Sequence, residues 1–527
     1  MPRELVIKNG TVVDGTGNRR FESDICIKNG RILEVSKDLP TTGVSVMDAS
    51  NLVVSPGFID THSHDDWGVL LDPCNFHSMQ QGVTTVLCGQ CGSSPYPLTP
   101  KAKEYVSIQL SEEIPSTEWS SLDEYMKLLE EIGIGINFAF LVGHGSIRTA
   151  VMGMDEKKAT TDEMDEMCKL AGECMDSGAF GLSTGLIYPP GVFSDLEEVC
   201  RVTEVIARYS GTYVTHMRDE GDRVIESIKE TREIGRQCSV PVHISHHKVS
   251  GVKNWGKSVG TLKLIEEINE SGQRMTADAY PYTAGSTNLA ALLPPWVHDG
   301  GEAKMKERLA SPDCRERIRT YILERSDWQN FIQQIPGWDC VLLTSSKSHK
   351  EFQGKNISDI ARMTGKDPME VVFDLCLNDG YHASMVIFMM DNEDVERIIC
   401  HPVVMVGSDS SAASKDAYTH PRAYGAFTKI LGEFLREKHL LNLEEAVRKM
   451  TLLPAKTFGL TNKGCICKGY DADLVIFDPE KVGDRATYED PTGLSVGVEK
   501  VIIGGELVYS QGEVVEKKAG RIVRRGV

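Results

Sequence analysis

Two histidines near the start of the chain are spaced so that they could share one metal ion. His62 and His64 close an apolar run that begins at Phe58. Side chains alternate along a strand, so both imidazoles project to the same side, and Asp60 shares their parity. Imidazole is a common transition-metal ligand, and a carboxylate behind it can orient the ring. By itself, the spacing leaves two alternatives open, a metal site and a pair of exposed loop histidines.

More histidines lie where two later strands end. His216 closes one apolar run, and the next carries His243, His246 and His247. In a (β/α)8 barrel, catalytic groups come from the C-terminal ends of several strands. His246 has the opposite parity from His243 and His247, and the pattern leaves open which set faces the interior.

A cysteine and an aspartate complete the set of candidate ligands. Cys91 follows the second strand and could be a soft thiolate ligand, although packing is the commoner role of a free cysteine. Asp409 follows the last strand and could be a metal ligand, a general base or a turn cap. Six such side chains, all at strand ends, predict one shared site.

The segments that must position these residues alternate between short strands and helices from residue 58 onward. Strands that alternate with helices pair in parallel, and about eight of them predict an α/β fold with a (β/α)8 TIM-like barrel over residues 58–459. The stretch 287–340 breaks the alternation with proline, tryptophan and charge. We predict that it is an insertion on a βα loop.

Both ends of the chain are predicted to be β structure. Near the N-terminus, Asn9-Gly10 separates two apolar runs, and Asn29-Gly30 repeats the pattern. Residues 472–477 and 501–508 are similar runs near the C-terminus. Because few-stranded sheets are marginal alone, residues 1–57 and 460–527 are predicted to combine into one small β-sandwich domain.

Composition excludes several classes of protein. The 527 residues carry 57 Lys and Arg against 76 Asp and Glu, a net charge of −19, without a basic block that would suit nucleic acid or an anionic membrane. No apolar run reaches membrane-spanning length, and the first residues do not form a signal peptide. The 14 cysteines are too few for a disulfide scaffold. A reducing cytoplasm is the expected setting.

The run Pro56-Gly57-Phe58-Ile59-Asp60-Thr61-His62-Ser63-His64 resembles the amidohydrolase superfamily of metal-dependent hydrolases, which fold as a distorted (β/α)8 barrel. Within it, nearly the whole chain resembles the N-acyl-D-amino-acid deacylases. The motifs that carry this resemblance are Gly89-Gln90-Cys91-Gly92, Gly185-Leu186-Ile187-Tyr188-Pro189-Pro190-Gly191, Thr215-His216-Met217-Arg218, Ile244-Ser245-His246-His247-Lys248, Ala279-Tyr280-Pro281-Tyr282 and His420-Pro421-Arg422.

The resemblance implies a role for each matching residue. Cys91, His216 and His246 would hold a tightly bound zinc. His62, His64 and Asp409 would form a second, weaker metal site, with Asp409 also the catalytic acid and base. The positions that would surround the substrate carboxylate are Tyr188, Lys248, Tyr282, Ser286 and Arg422. The insertion would form a flap over the site. Two departures from the family pattern are Gln90, usually Asn, and a longer loop over residues 410–415.

The implied reaction is zinc-dependent hydrolysis of N-acyl-D-amino acids to a D-amino acid and a carboxylate. Zinc lowers the pKa of bound water from 15.7 toward about 7, and Asp409 would move the protons. One alternative is a cyclic-amide hydrolase that resembles the hydantoinases or dihydroorotases. In those enzymes, a carboxylated lysine on the fourth strand bridges two metals. The predicted fourth strand, residues 179–185, contains no lysine. The other alternative is a non-catalytic scaffold with the amidohydrolase fold.

Overall fold

A computed structural model describes residues 4–109, 118–411 and 418–526. Strands from both ends of the chain combine into one sheet. Its N-terminal strands are β1 (Glu4–Val12), β2 (Phe21–Lys28), β3 (Arg31–Ser36), β4 (Ser45–Asp48) and β5 (Val53–Pro56). Its C-terminal strands are β18 (Leu474–Phe477), β19 (Val498–Ile503), β20 (Glu506–Ser510) and β21 (Glu513–Val514). The sheet has nine strands in the order β21-β20-β19-β18-β5-β1-β2-β3, with β4 also paired to β1.

Strand β5 joins the two ends of the chain. It pairs in parallel with β1, Val53 opposite Thr11, and antiparallel with β18, Ser55 opposite Val475. Alternate residues of these strands fill a buried apolar cluster, so neither end exposes its apolar face. The predicted β domain made from both termini is confirmed. Its boundaries at residues 57 and 460 stay predictions.

The middle of the chain supplies the strands of the predicted barrel. They are β6 (Phe58–Asp60), β7 (Val83–Cys88), β8 (Asn137–Phe140), β9 (Val142–Gly143), β10 (Gly181–Gly185), β11 (Thr212–His216), β12 (Val242–Ile244), β13 (Met275–Ala279) and β17 (Val404–Val406). All pair in parallel, in two arcs ordered β6-β7-β8 and β9-β10-β11-β12-β13-β17. A bridge between Ser63 and Ser410 lies beyond the ends of β6 and β17. Within the described residues the strands do not form a continuous closed ladder, as expected of a distorted TIM-like barrel.

A three-stranded antiparallel sheet interrupts the alternation between β13 and β17. Its strands are β14 (Ala284–Asn288), β15 (Val341–Ser345) and β16 (Ser384–Phe388), in the order β14-β16-β15. The predicted insertion, 287–340, covers the segment between β14 and β15, and its limits stay predictions. We call the segment from the start of β14 to the end of β16 the excursion. It begins just beyond the C-terminal end of β13, and so beside the strand ends that carry the candidate ligands.

The helices lie between these strands and within the excursion. They are α1 (Asp65–Leu71), α2 (Phe76–Met79), α3 (Pro100–Gln109), α4 (Leu122–Ile132), α5 (His144–Met152), α6 (Thr161–Asp176), α7 (Leu196–Ala207), α8 (Val224–Cys238), α9 (Ser258–Glu270), α10 (Glu302–Ala310), α11 (Pro312–Glu324), α12 (Phe331–Gln334), α13 (Ile357–Thr364), α14 (Pro368–Asp379), α15 (Asn392–Cys400), α16 (Arg422–Lys429), α17 (Leu443–Met450) and α18 (Leu452–Phe458). Capping boxes begin α4 and α6. Among the described residues, no helix is both long and apolar enough to cross a bilayer.

Candidate active site

The six predicted ligands meet at the C-terminal ends of the barrel strands. His62 and His64 follow β6, Cys91 follows β7, and His216 is the last residue of β11. His246 and Asp409 follow β12 and β17. Each strand ends beside its neighbours, so residues far apart in sequence are carried to one place.

Cys91 lies at the centre of the cluster. Its Sγ is 3.3 Å from His62 Nε2, 3.3 Å from His246 Nε2 and 3.6 Å from His216 Nδ1. The ligand atoms of Cys91, His216 and His246 all lie within 4.8 Å of one another. We call these three residues the cysteine half of the site.

Asp409 gathers the remaining histidines on the other side. Its Oδ1 is 3.5 Å from His62 Nε2 and 3.3 Å from His64 Nε2. His62 also belongs to two other groups of three residues whose ligand atoms all lie within 4.8 Å of one another. One group adds His64 and Cys91, and the other adds His246 and Asp409. We call His62, His64 and Asp409 the aspartate half. The two halves therefore adjoin, with His62 between them.

Three of these residues have left-handed backbone conformations. The φ angles are 52° at Cys91, 35° at His246 and 52° at Asp409. Such angles are uncommon outside glycine and cost roughly 1–3 kcal/mol each, so the surrounding structure must impose them. One restraint is Asp278, whose Oδ1 accepts a hydrogen bond from the His246 backbone N–H at 2.5 Å. Strain of this kind concentrates at functional sites.

Burial sets the charge states of the cysteine half. It lowers the pKa values of His216 and His246 well below the usual range, so both imidazoles are neutral, as metal ligands must be. It raises the pKa of the Cys91 thiol well above its usual range. A cation is therefore needed to hold the thiolate form that binds metal.

Asp409 has the opposite response. Burial would raise the pKa of its carboxyl, but the Arg422 guanidinium and the hydrogen bond from His64 outweigh burial and hold that pKa well below the usual range. Asp409 is therefore a carboxylate. One cysteine sulfur, several imidazoles and one carboxylate within contact distance match the ligands that zinc takes in proteins, so the donor set fits zinc.

The contacts of His243, His246 and His247 show which of these three histidines belongs to the site. Its Nε2 contacts Asp278 Oδ2 at 2.8 Å and its Nδ1 contacts Thr276 Oγ1 at 2.8 Å, behind the site. His247 contacts Thr261 Oγ1 with Nε2 at 2.9 Å, away from the cluster. Only His246 of the three reaches Cys91.

A cavity of about 840 Å³ opens above the cluster. Four of the five predicted substrate-binding residues line it: Tyr188, Lys248, Ser286 and Arg422. Arg422 Nη1 is 2.7 Å from Asp409 Oδ2, and its Nη2 donates to the Ser286 carbonyl at 3.3 Å. The Tyr188 hydroxyl accepts a hydrogen bond from Thr287 Oγ1 at 3.0 Å.

Tyr282 is not brought to this cavity. Its hydroxyl lies 3.4 Å from the Pro421 carbonyl and 3.5 Å from Asp484 Oδ2, behind the cavity wall. Tyr280 lines the cavity instead, and its buried hydroxyl has no hydrogen-bond partner among the described residues. Tyr280 is the first residue beyond β13, and this position at a strand end is the sequence signal that could have identified it as a cavity residue.

The two departures from the family pattern lie beside the site. Gln90 donates through Nε2 to the Thr61 carbonyl at 2.7 Å, and so ties the end of β7 to the end of β6. This contact holds Cys91 close to His62. Within the longer loop, Ser410 and Ser411 line the cavity, whereas residues 412–415 lie outside the described residues.

Comparison with known proteins gives the family. A family model described as "Amidohydrolase family" matches residues 45–509. The chain is 36% identical over 524 residues to the D-aminoacylase of Alcaligenes xylosoxydans xylosoxydans, covering 99% of this chain and 98% of that protein.

Two solved structures are also similar over almost their full length. One is a D-aminoacylase, described for its binuclear metal centre with one-metal activation and second-metal attenuation; its TM-score is 0.84 at 36% identity, with 99% of both chains covered. The other is the N-acyl-D-glutamate deacylase of Bordetella bronchiseptica with zinc and a phosphonate mimic of the tetrahedral intermediate; its TM-score is 0.83 at 31% identity, with 99% of this chain and 100% of that chain covered. The chain therefore belongs to the amidohydrolase family, among the D-aminoacylases and N-acyl-D-amino-acid deacylases.

Proposed function

We propose that this protein is a zinc-dependent N-acyl-D-amino-acid deacylase, which hydrolyses the amide to a D-amino acid and a carboxylate. The observation that carries the proposal is the convergence of Cys91, His216 and His246 beneath a cavity that also contains Asp409 and Arg422. The named activities of the similar proteins support the same reaction.

The cysteine half is the proposed site of a tightly bound zinc, and the aspartate half that of a second, weaker metal. Zinc, when bound, supplies a Lewis acid that polarises the amide carbonyl and makes water easier to deprotonate. A site built from three protein ligands leaves a coordination position open for reactants.

Asp409 is the proposed acid and base. As a carboxylate facing the cavity, it can take the proton of the attacking water and return one to the departing amine nitrogen. The products are then the free D-amino acid and the carboxylic acid released from the acyl group.

The substrate carboxylate is proposed to bind among Arg422, Lys248, Ser286 and Tyr188. Arg422 offers a planar fork that suits a carboxylate, and Lys248 adds a compact positive charge. The unpartnered hydroxyl of Tyr280 adds a donor on the same wall. Local cations are needed because the chain as a whole carries a charge of −19 and the substrate is an anion.

Two observations favour this reaction over the alternatives. Strand β10, Gly181–Gly185, contains no lysine that could bridge two metals as in cyclic-amide hydrolases, whereas Cys91 Sγ contacts a histidine of each half, His62 and His246. A scaffold protein would be free to lose its ligands, whereas the complete donor set is present and in contact.

The test is a panel of N-acetyl-D- and N-acetyl-L-amino acids, incubated with zinc-loaded protein while the released amine is measured. Hydrolysis of D substrates, with the L enantiomers left intact, is expected. Folded, zinc-loaded protein that releases no amine from any D substrate would overturn the proposal. Zinc content near zero after loading would favour the scaffold.

A further inference from the structure

One buried carboxylate lies behind both histidines of the cysteine half. Glu220 follows His216 by four residues and is 1% exposed. Its backbone N–H donates to Gln329 Oε1 at 2.6 Å, and its carbonyl accepts from the Ser250 N–H at 2.8 Å. The peptide groups on both sides of the Glu220 side chain are thereby fixed, one to the excursion and one to the loop after β12.

The first oxygen of Glu220 contacts His246. Oε1 is 3.0 Å from His246 Nδ1, while His246 Nε2 faces Cys91. If His246 binds metal through Nε2, its Nδ1 carries the hydrogen and must donate it. Glu220 Oε1 is an acceptor at the correct distance, and the contact selects the tautomer that leaves Nε2 free for the metal.

The second oxygen of Glu220 contacts His216, whose ring is turned the other way. Here Nδ1 faces Cys91, and Nε2 is 3.5 Å from Glu220 Oε2. This buried Nε2 has no hydrogen-bond partner among the described residues. Glu220 is the acceptor nearest to that unpaired nitrogen, and a shift of roughly 0.5 Å would bring the pair to ordinary hydrogen-bond length.

Lys248 balances the charge of this carboxylate. Its Nζ is 2.7 Å from Glu220 Oε1 and 2.7 Å from His246 Nδ1. Once His246 Nδ1 carries a hydrogen, it cannot accept a hydrogen bond from Lys248. Lys248 then keeps its hydrogen bond to Glu220, and the N–H that pointed at His246 has no partner there. The ion pair offsets the cost of burying Glu220.

We propose that Glu220 is the positioning residue of the cysteine half, with one carboxylate oxygen orienting His246 and the other orienting His216. This inference rests on the proposed zinc site. Glu220 contacts each ring at the nitrogen that does not face Cys91, and it acts through the two imidazoles.

Glu220→Gln tests this assignment because it keeps the shape and removes one acceptor. An amide has a single acceptor oxygen, so one of the two imidazoles loses its partner. Removal of such an outer partner typically weakens metal binding by about 10–100-fold. Zinc affinity is measured by competition with a chromophoric chelator, and the zinc-induced rise in Tm provides a second readout.

A control variant separates positioning from general damage. Asp219→Asn alters an adjacent buried carboxylate, which accepts from the backbone N–H groups of Gly221 and Arg223 through an oxygen that the amide retains. Asp219→Asn is expected to keep the zinc affinity of the wild type.

Glu220→Gln that binds zinc as tightly as the wild type would overturn the inference, as would an equal loss in Asp219→Asn. If Glu220→Gln fails to fold, Glu220→Asp decides: it keeps the charge that Lys248 needs but is too short to reach both rings, so weaker zinc binding is still expected. Wild-type protein that binds no zinc would instead overturn the proposed function. The failures of the two proposals are thus distinguishable.

Discussion

The two halves of the site differ in how far they are prepared for a metal. In the cysteine half, His216 and His246 are almost fully buried and neutral, and Glu220 lies behind both. In the aspartate half, the His64 side chain is 30% exposed, and one oxygen of Asp409 is engaged by Arg422 at 2.7 Å. A metal in the aspartate half must compete with that ion pair and order a partly solvated ring. The difference favours unequal affinities, with the cysteine half the tighter.

The largest effect is expected from Cys91→Ser, because Cys91 contacts ligands of both halves. A serine hydroxyl is a harder and far less acidic ligand than a thiol, so zinc binding should be largely lost. Activity should fall by more than the ~10–100-fold typical of losing an outer partner. Zinc content by atomic absorption and amine release check this. Cys314→Ser, on the excursion, is the matched control and should keep both. Full zinc content in Cys91→Ser would remove the distinction between the halves.

Asp409→Asn should separate chemistry from metal binding. The cysteine half contains no atom of Asp409, so one equivalent of zinc should remain. The amide cannot take a proton, and general acid–base catalysis typically contributes about 10²–10⁴-fold to the rate, which is the expected loss in kcat. Steady-state kinetics on zinc-quantified protein provide the measurement. Near-normal turnover would exclude Asp409 as the proton carrier.

Arg422→Lys should act mainly on substrate binding. Lysine keeps the positive charge but loses the planar fork, and a hydrogen bond to a charged group is worth about 1.5–3 kcal/mol, equivalent to roughly 10–100-fold in KM. Arg422 also forms an ion pair with Asp409. Because lysine should weaken that ion pair, the second zinc should bind more tightly to the variant, and zinc titration measures this affinity. A change confined to kcat, with KM unaltered, would contradict a role in holding the carboxylate.

Sequence periodicity was sufficient for the architecture. Alternating strands and helices predict the barrel, and paired apolar runs at both ends predict the shared β domain, because each pattern reports which face of an element is buried. The strand-end rule likewise predicts that His62, Cys91, His216 and Asp409 lie together. Parity within a strand is a local property, so it could not tell whether His246 or His243 faces the interior.

What the sequence could not supply depends on backbone conformation and on contacts between distant segments. The left-handed φ angles of Cys91 and His246 turn their side chains off the parity of the preceding strand. Tyr280 and Tyr282 have the same type and the same parity, and only the turn after β13 sends one into the cavity and the other toward Pro421. Glu220 gains its role from a ring that lies 26 residues further along the chain.

The smallest effect, and the most direct test of unequal halves, is expected from His64→Ala. His64 contacts Asp409 but is absent from the Cys91, His216 and His246 grouping, so the first zinc should bind with unchanged affinity. The second equivalent should be lost, because His62 and Asp409 alone leave an incomplete ligand set. Zinc titration by calorimetry distinguishes the two steps, and His349→Ala, on a half-exposed histidine of the excursion, serves as the control. If both steps weaken together in His64→Ala, the two halves form one coupled site and the ranking of affinities drawn from their burial and pairing is wrong.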